Sequence, residues 1–136
     1  MITDLHCRFA TIAVDFDGTL CENAFPEIGK PKHLVIDFVK QQAASGAKII
    51  LHTCREDGER RPLLTEAVEF CAAHGIPLYA VNENPGNLNA EMYGVQRPPR
   101  KIYADEYIDD RASSASDIEA YMARKRDVKG GRARHR

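Results

Sequence analysis

The sequence has no run of eighteen apolar residues, so no segment of it reads as a membrane-spanning helix. Its first ten residues, MITDLHCRFA, lack the basic start and long apolar stretch of a secretory signal, and a cytoplasmic location is expected. The four cysteines, Cys7, Cys21, Cys54 and Cys71, are far apart, with no C-x-x-C pair and no His/Cys cluster at zinc spacing. They read as reduced thiols, mostly small buried hydrophobes. G-x-x-x-x-G-K-[ST] and G-x-G-x-x-G are both missing, which removes the ordinary nucleotide-binding loops, and G-x-S-x-G is missing too. An EF-hand loop starting at Asp15 is also excluded, because Thr19, Leu20 and Pro26 stand where a ligand, a glycine and a glutamate are needed.

What is present amounts to one domain: 136 residues, 43% of them hydrophobic, enough to fill a single core. The net charge of −1 hides an asymmetry. Residues 124–136, RKRDVKGGRARHR, carry seven bases and one acid, leaving twelve bases against nineteen acids in residues 1–123. The expected organisation is an acidic catalytic domain over 1–123 and a basic, disordered tail over 124–136. Such a tail can attract a polyanion, but no aromatic residues interleave with its charges for base stacking, so a solvated tail is the favoured reading.

Residues 9–15, FATIAVD, and 47–53, AKIILHT, read as buried strands, and IPLYAVN as a third. KIYAD and YIDD read as two further short strands. Between them, PKHLVIDFVKQQAASG opens on proline and closes on glycine, with Leu34, Val35, Phe38, Val39 and Ala43 at helical spacing. ERRPLLTEAVEFCAAHG repeats the pattern through Leu63, Leu64, Ala67, Val68 and Cys71, and SASDIEAYMAR is a final helix with a serine cap. Strands alternating with helices predict an α/β fold, a three-layer αβα Rossmann-like parallel sheet that binds ligands beyond the carboxyl ends of its strands.

That rule singles out Asp15 and Asp17 after the first strand, Thr53 after the second, and Asp109 and Asp110 after the last. Lys101 reaches the same edge only if its loop rises over it. Four carboxylates on one rim repel one another unless a cation neutralises them, and hard oxygen ligands favour Mg²⁺. Mg²⁺ prefers few carboxylates, retained waters and a substrate phosphate. A lysine and a hydroxyl nearby complete a phosphoryl-binding set, and aspartate is a known nucleophile toward phosphorus.

DFDGTL, the strand ending in Thr53, Lys101 and the apolar-led YIDD together resemble the four motifs of the haloacid dehalogenase superfamily, over residues 10–111. The resemblance implies that Asp15 is a nucleophile forming an aspartyl-phosphate. Asp17 would then be the general acid–base, its backbone carbonyl also a metal ligand. Thr53 would bind a phosphoryl oxygen, Lys101 would steady the developing charge, and Asp109 and Asp110 would complete the Mg²⁺ site. An acid at position 17 resembles the phosphatases more than the dehalogenases or P-type ATPases. Neither gap between motifs has room for a cap domain, which implies an open site suited to bulky substrates or to closure by a neighbouring subunit. LCENAFPEIGKP resembles the short flap that partly covers such sites.

Arg55, Asn82 and Asn84 are candidate substrate-binding residues, against the plainer readings of a surface arginine and of turn chemistry before Pro85–Gly86. His52 reads as a structural histidine, and Tyr103 and Tyr107 as packed residues. The function expected is a Mg²⁺-dependent phosphatase acting on the phosphate monoester of a small metabolite or nucleotide. The alternatives are a nucleic-acid end phosphatase held to its polymer by the basic tail, and a phospho-acceptor domain of receiver type. The order of motifs disfavours the receiver, which places its acceptor aspartate after the third strand.

Overall fold

A computed structural model of the chain describes residues 9–85 and 99–134. The elements run β1 (Thr11–Val14), β2 (Cys21–Ala24), β3 (Glu27–Pro31), α1 (His33–Ala44), β4 (Lys48–Leu51), α2 (Leu63–Ala73), β5 (Ala80–Val81), β6 (Glu106–Ile108) and α3 (Ala115–Arg134). β5, β4, β1 and β6 form, in that order, one parallel sheet, and β2 and β3 form a separate antiparallel hairpin. The architecture is the α/β, Rossmann-like class that the strand–helix alternation predicts.

Register decides how the sheet is buried. Ile12 pairs with Ile49 and Val14 with Leu51, so these four share one face. Ile36 and Val39 of α1 and Ala67 and Cys71 of α2 pack on that face. Right-handed crossovers that step from β1 to β4 to β5 in one direction put both helices on the same side. The alternate residues Ala13 and Ile50 turn to the opposite face and pack with Ile102, Ala80 and Ala104. Each fully buried Ile or Leu in these clusters contributes about 1.5–3 kcal/mol through its removal from water.

Several elements depart from the sequence pattern. Leu34 is exposed; the buried positions on α1 are Ile36, Val39 and Gln42, because Leu34 lies in the first turn on the far side of the helix from Val39. The third strand is only two residues long, and Pro77 ahead of it has no N–H to give a ladder. KIYAD forms no strand. There the Asn84 side chain accepts from the Tyr103 N–H and donates to the Lys101 carbonyl, and the Tyr107 hydroxyl donates to the Ile102 carbonyl. Side chains thus satisfy backbone groups that a sheet would have used. Tyr103 and Tyr107 stay largely exposed rather than packed, and the His52 side chain is exposed as well.

The final helix begins where Ser114 accepts from the Asp117 N–H, the expected serine cap. It runs on to Arg134, so the backbone of the basic segment is helical rather than irregular. Ala, Lys and Arg are strong helix formers and no proline interrupts them, which the two glycines at 130–131 do not outweigh. Cys7, residues 86–89 of the turn-rich stretch after β5, and the last two residues of the basic segment lie outside the described residues. No helix among the described residues is long and apolar enough to cross a membrane.

Candidate active site

In the strand order β5-β4-β1-β6 the chain leaves β1 toward β4 and later returns to its other side as β6. The direction of winding therefore reverses between β1 and β6, where open α/β sheets form a ligand crevice at the strand ends. Asp15 ends β1, its N–H donating to the Ile108 carbonyl at 2.9 Å, and Asp109 and Asp110 follow β6 directly. The topology itself thus brings the two acidic pairs of the sequence side by side. One carboxylate oxygen from each of Asp15, Asp109 and Asp110 lies within 4.8 Å of the others.

Thr19 ties the two strand ends together. Its hydroxyl donates to Asp15 Oδ2 at 3.2 Å and accepts from the Asp110 N–H at 3.1 Å, and the side chain is buried. The turn that follows Asp17 requires glycine: Gly18 has φ +85°, and a Cβ there would overlap the Asp110 carboxylate. The Gly18 carbonyl accepts from Lys32 Nζ at 3.1 Å. Burial pushes the Asp15 carboxyl up from its ordinary 3.8 to about 6. The charges of Asp109 and Asp110 add to that rise, while the Phe16 N–H and the Thr19 hydroxyl pull it back.

Asp17 does not join the three. Its oxygens take Nε and Nη2 of Arg55, each at 2.8 Å. Arg55, a candidate substrate ligand from its place beside Thr53, is instead only 1% exposed. Its Nη2 also donates to the Glu27 carbonyl of β3 at 3.0 Å, and its guanidinium lies over the rings of both Phe16 and Phe25, at 5.0 and 5.2 Å. A buried guanidinium with its donors used internally fixes Asp17 and the hairpin rather than meeting substrate.

Thr53 lies where expected. Its N–H donates to Asn82 Oδ1 at 2.8 Å, and its hydroxyl accepts from the Arg55 N–H at 3.1 Å, leaving the hydroxyl proton for another acceptor. Asn82, at φ +55°, is therefore a brace for Thr53. Asn84 is 3% exposed, and its amide donates to the Pro99 and Lys101 carbonyls at 2.7 and 2.6 Å. Both asparagines are internal clamps. The same clamp keeps the Lys101 loop from rising over the rim: Lys101 lines a neighbouring hollow of about 560 Å³ that also includes Asp109. Among the described residues, its side chain makes no hydrogen bond or ion pair with Asp15.

The acids open into a hollow of about 360 Å³, lined by Asp15, Asp17, Thr53, Asp109 and Asp110 together with Asn23, Phe25, Cys54, Arg55 and Arg111. The hairpin brings Asn23 and Phe25, which sequence reasoning passed over within a stretch seen only as a flap. Arg61 secures that hairpin: it makes two bonds to the Glu27 carboxylate, at 2.8 and 2.9 Å, and two to Glu66 of α2, both at 2.9 Å. It holds both carboxyls below their usual range.

No family model matches the chain, and neither does any curated protein. A solved structure does: a conserved protein coded by a locus from Bacteroides thetaiotaomicron, with 35% sequence identity and a TM-score of 0.60, over 85% of this chain and 90% of that one. The chain belongs to that protein's family. Membership of the B. thetaiotaomicron conserved-protein family establishes a shared fold; the chemistry has to be argued from the side chains.

In this member of the B. thetaiotaomicron conserved-protein family, the donor set fits a hard divalent cation. Three carboxylates converge from two strand ends, and the charges of Asp109 and Asp110 add, behind burial, to the rise of the Asp15 carboxyl, a repulsion that a cation would relieve. Few protein ligands in an open hollow suit Mg²⁺, which keeps waters and shares a substrate phosphate. Asp17, expected among the ligands, has its carboxylate committed to Arg55 and can serve only through its backbone carbonyl.

Proposed function

We propose that the protein is a phosphatase of the haloacid dehalogenase type, hydrolysing a phosphate monoester through an aspartyl-phosphate on Asp15, with Mg²⁺ as cofactor. The observation that carries this reading is the convergence of Asp15, Asp109 and Asp110 at the switch point of the sheet, opening into the hollow that Thr53 lines. Mg²⁺, when bound, offsets the mutual repulsion of the carboxylates and the phosphate.

The chain's own residues divide the work. Asp15, ionised at neutral pH, attacks phosphorus through one Oδ. As that P–O bond forms, the bond from phosphorus to the ester oxygen breaks, and the leaving oxygen takes a proton from Asp17, which enters this step protonated on the oxygen released from Arg55. Water then attacks the phosphorus of the aspartyl-phosphate, giving its proton to Asp17 and releasing inorganic phosphate and the Asp15 carboxylate. For either transfer Asp17 gives up one of its two bonds to Arg55. Thr53 donates its hydroxyl proton to a phosphoryl oxygen in the hollow that it shares with Asp15. The substrate in this reading is a phosphorylated small molecule, and the free thiols of Cys21, Cys54 and Cys71 suit a reducing compartment such as the cytoplasm.

The test is hydrolysis of a generic aryl phosphate in Mg²⁺. Asp15→Asn should abolish turnover while the protein stays folded; retained activity removes Asp15 as the nucleophile.

A further inference from the structure

Phe25 is an apolar side chain in an unusual place. It stands at the turn of the β2–β3 hairpin, 56% exposed, yet it lines the hollow that holds Asp15, Asp17 and Thr53. Among the ten described residues that line that hollow it is the sole aromatic; the others are polar or charged, apart from Cys54. A phenyl ring left half in water beside carboxylates gains nothing from burial in the folded chain.

Nor is the ring free to swing at a loose tip. Behind it lies the Arg55 guanidinium at 5.2 Å, itself immobilised by Asp17 and stacked on the buried Phe16. On the β3 side the hairpin is held by the Arg55 bond to the Glu27 carbonyl and by the paired bonds from Arg61 to the Glu27 carboxylate. On the β2 side the Asn23 carboxamide oxygen accepts from the Phe25 N–H at 3.4 Å. Phe25 thus rests on the same immobilised guanidinium as the buried Phe16 and presents a preorganised aromatic surface to the acid-lined hollow. An anchored ring with an open surface is a stacking platform, and it attracts planar π-systems more than saturated groups of the same size.

We infer that Phe25 is a specificity-determining residue whose exposed ring stacks on a planar, aromatic leaving group of the phosphate ester. The inference rests on the phosphatase reading for the position of the phosphate, and it selects aryl-type or nucleobase-bearing esters over aliphatic polyol phosphates. No proton or bond changes hands at Phe25; its contribution is to binding and orientation.

The decisive comparison uses two non-hydrolysable ligands of nearly equal size, benzylphosphonate and cyclohexylmethylphosphonate, titrated calorimetrically into the full chain in Mg²⁺. The benzyl compound should bind about tenfold more tightly, a difference of about 1.4 kcal/mol, and Phe25→Leu should erase that preference while keeping an apolar side chain. Equal binding by the wild type, a preference that survives in Phe25→Leu, or no binding of either compound overturns the inference. A Phe25-dependent preference in a protein that hydrolyses no phosphate ester would overturn the phosphatase reading and leave the stacking assignment standing. The source of the ring follows from kcat/KM for a nucleoside 5′-monophosphate against ribose 5-phosphate. A Phe25-dependent preference in that pair assigns a nucleobase; one confined to benzyl over cyclohexylmethyl phosphate assigns a simple aryl group.

Discussion

Arg55 grips Asp17 with two parallel bonds, Nε to Oδ2 and Nη2 to Oδ1, both 2.8 Å long. The guanidinium lies over the rings of Phe16 and Phe25 and also donates to the Glu27 carbonyl, so it fixes both the second aspartate of the motif and one strand of the hairpin. Position 55 is therefore part of the site's frame, although it need not touch substrate.

Removing the guanidinium leaves the Asp17 carboxylate facing a buried gap. Breaking a buried pair from one side destabilises by about 3–5 kcal/mol. Arg55→Ala should lower the urea midpoint accordingly and reduce kcat more than it raises KM. Arg55→Lys keeps the charge but loses the planar fork, and should recover only part of the stability. A stability change within about 0.5 kcal/mol for Arg55→Ala would contradict the frame role.

Gly18 offers a separate lever on the acid cluster. With φ at +85° and the Asp110 carboxylate in the way of any Cβ, Gly18→Ala carries both backbone strain and displacement of Asp110. The backbone effect alone is about 1–2 kcal/mol. The variant should unfold at lower urea and bind Mg²⁺ more weakly by calorimetry, whereas Gly46→Ala, strained at φ +112° but with nothing near its Cβ, should lose stability without losing metal affinity.

Metal binding should be visible in stability itself. A ligand that binds only the folded chain adds about 2.7 kcal/mol at a hundred times its dissociation constant. Mg²⁺ should raise the melting temperature of the wild type and EDTA reverse it. Asp110→Asn and Asp109→Asn should each blunt the response; an undiminished shift in both would remove the three-carboxylate site.

The fold was legible where period and punctuation agree. β1, β4, α1, α2 and the serine cap of α3 follow from apolar spacing and from proline and glycine at the boundaries. Asp15, Thr53, Asp109 and Asp110 were legible because a parallel sheet delivers strand ends to one rim. What was not legible is which polar side chains are used internally. Arg55 and Asn84 look like ligands in sequence, but their partners are 8 to 38 residues away and are set by tertiary contacts. Lys101 missed the rim for the same reason, since Asn84 ties down its carbonyl. Thr19 was within the motif throughout; its two bonds to the acidic pairs depend on β6 arriving beside β1, which local pattern does not encode.

Protonation of Asp15 gives a prediction in pH. Its carboxyl titrates at about 6 in the folded chain, against 3.8 for an unperturbed aspartate. Between those values the folded chain holds the extra proton, so raising the pH through that window favours unfolding, and the stabilisation present below about pH 4 is gone above about pH 6. Asp15→Asn has no such proton to lose. With EDTA present, the variant should gain urea stability relative to wild type as pH rises from about 4 to about 6, with a constant margin above. A margin independent of pH would contradict the raised value.

The basic segment provides the last test, and it separates two substrates. Asp117 of α3 and its cap Ser114 line the hollow beside Asp109, and among the described side chains none from position 124 onward lines either hollow. Deleting residues 124–136 should therefore leave kcat/KM for benzyl phosphate within about twofold of wild type. A polymer held by seven cationic side chains would behave otherwise: its binding would fall steeply with salt, and losing the segment would flatten that slope. Turnover of a 5′-phosphorylated oligonucleotide, measured at low and moderate salt in both proteins, makes the distinction. Small-ester activity that survives truncation, with no salt-dependent advantage for the oligonucleotide in the full chain, assigns the site to small molecules. A large loss on the small ester would instead mean that the helix beyond Ala123 supports the site.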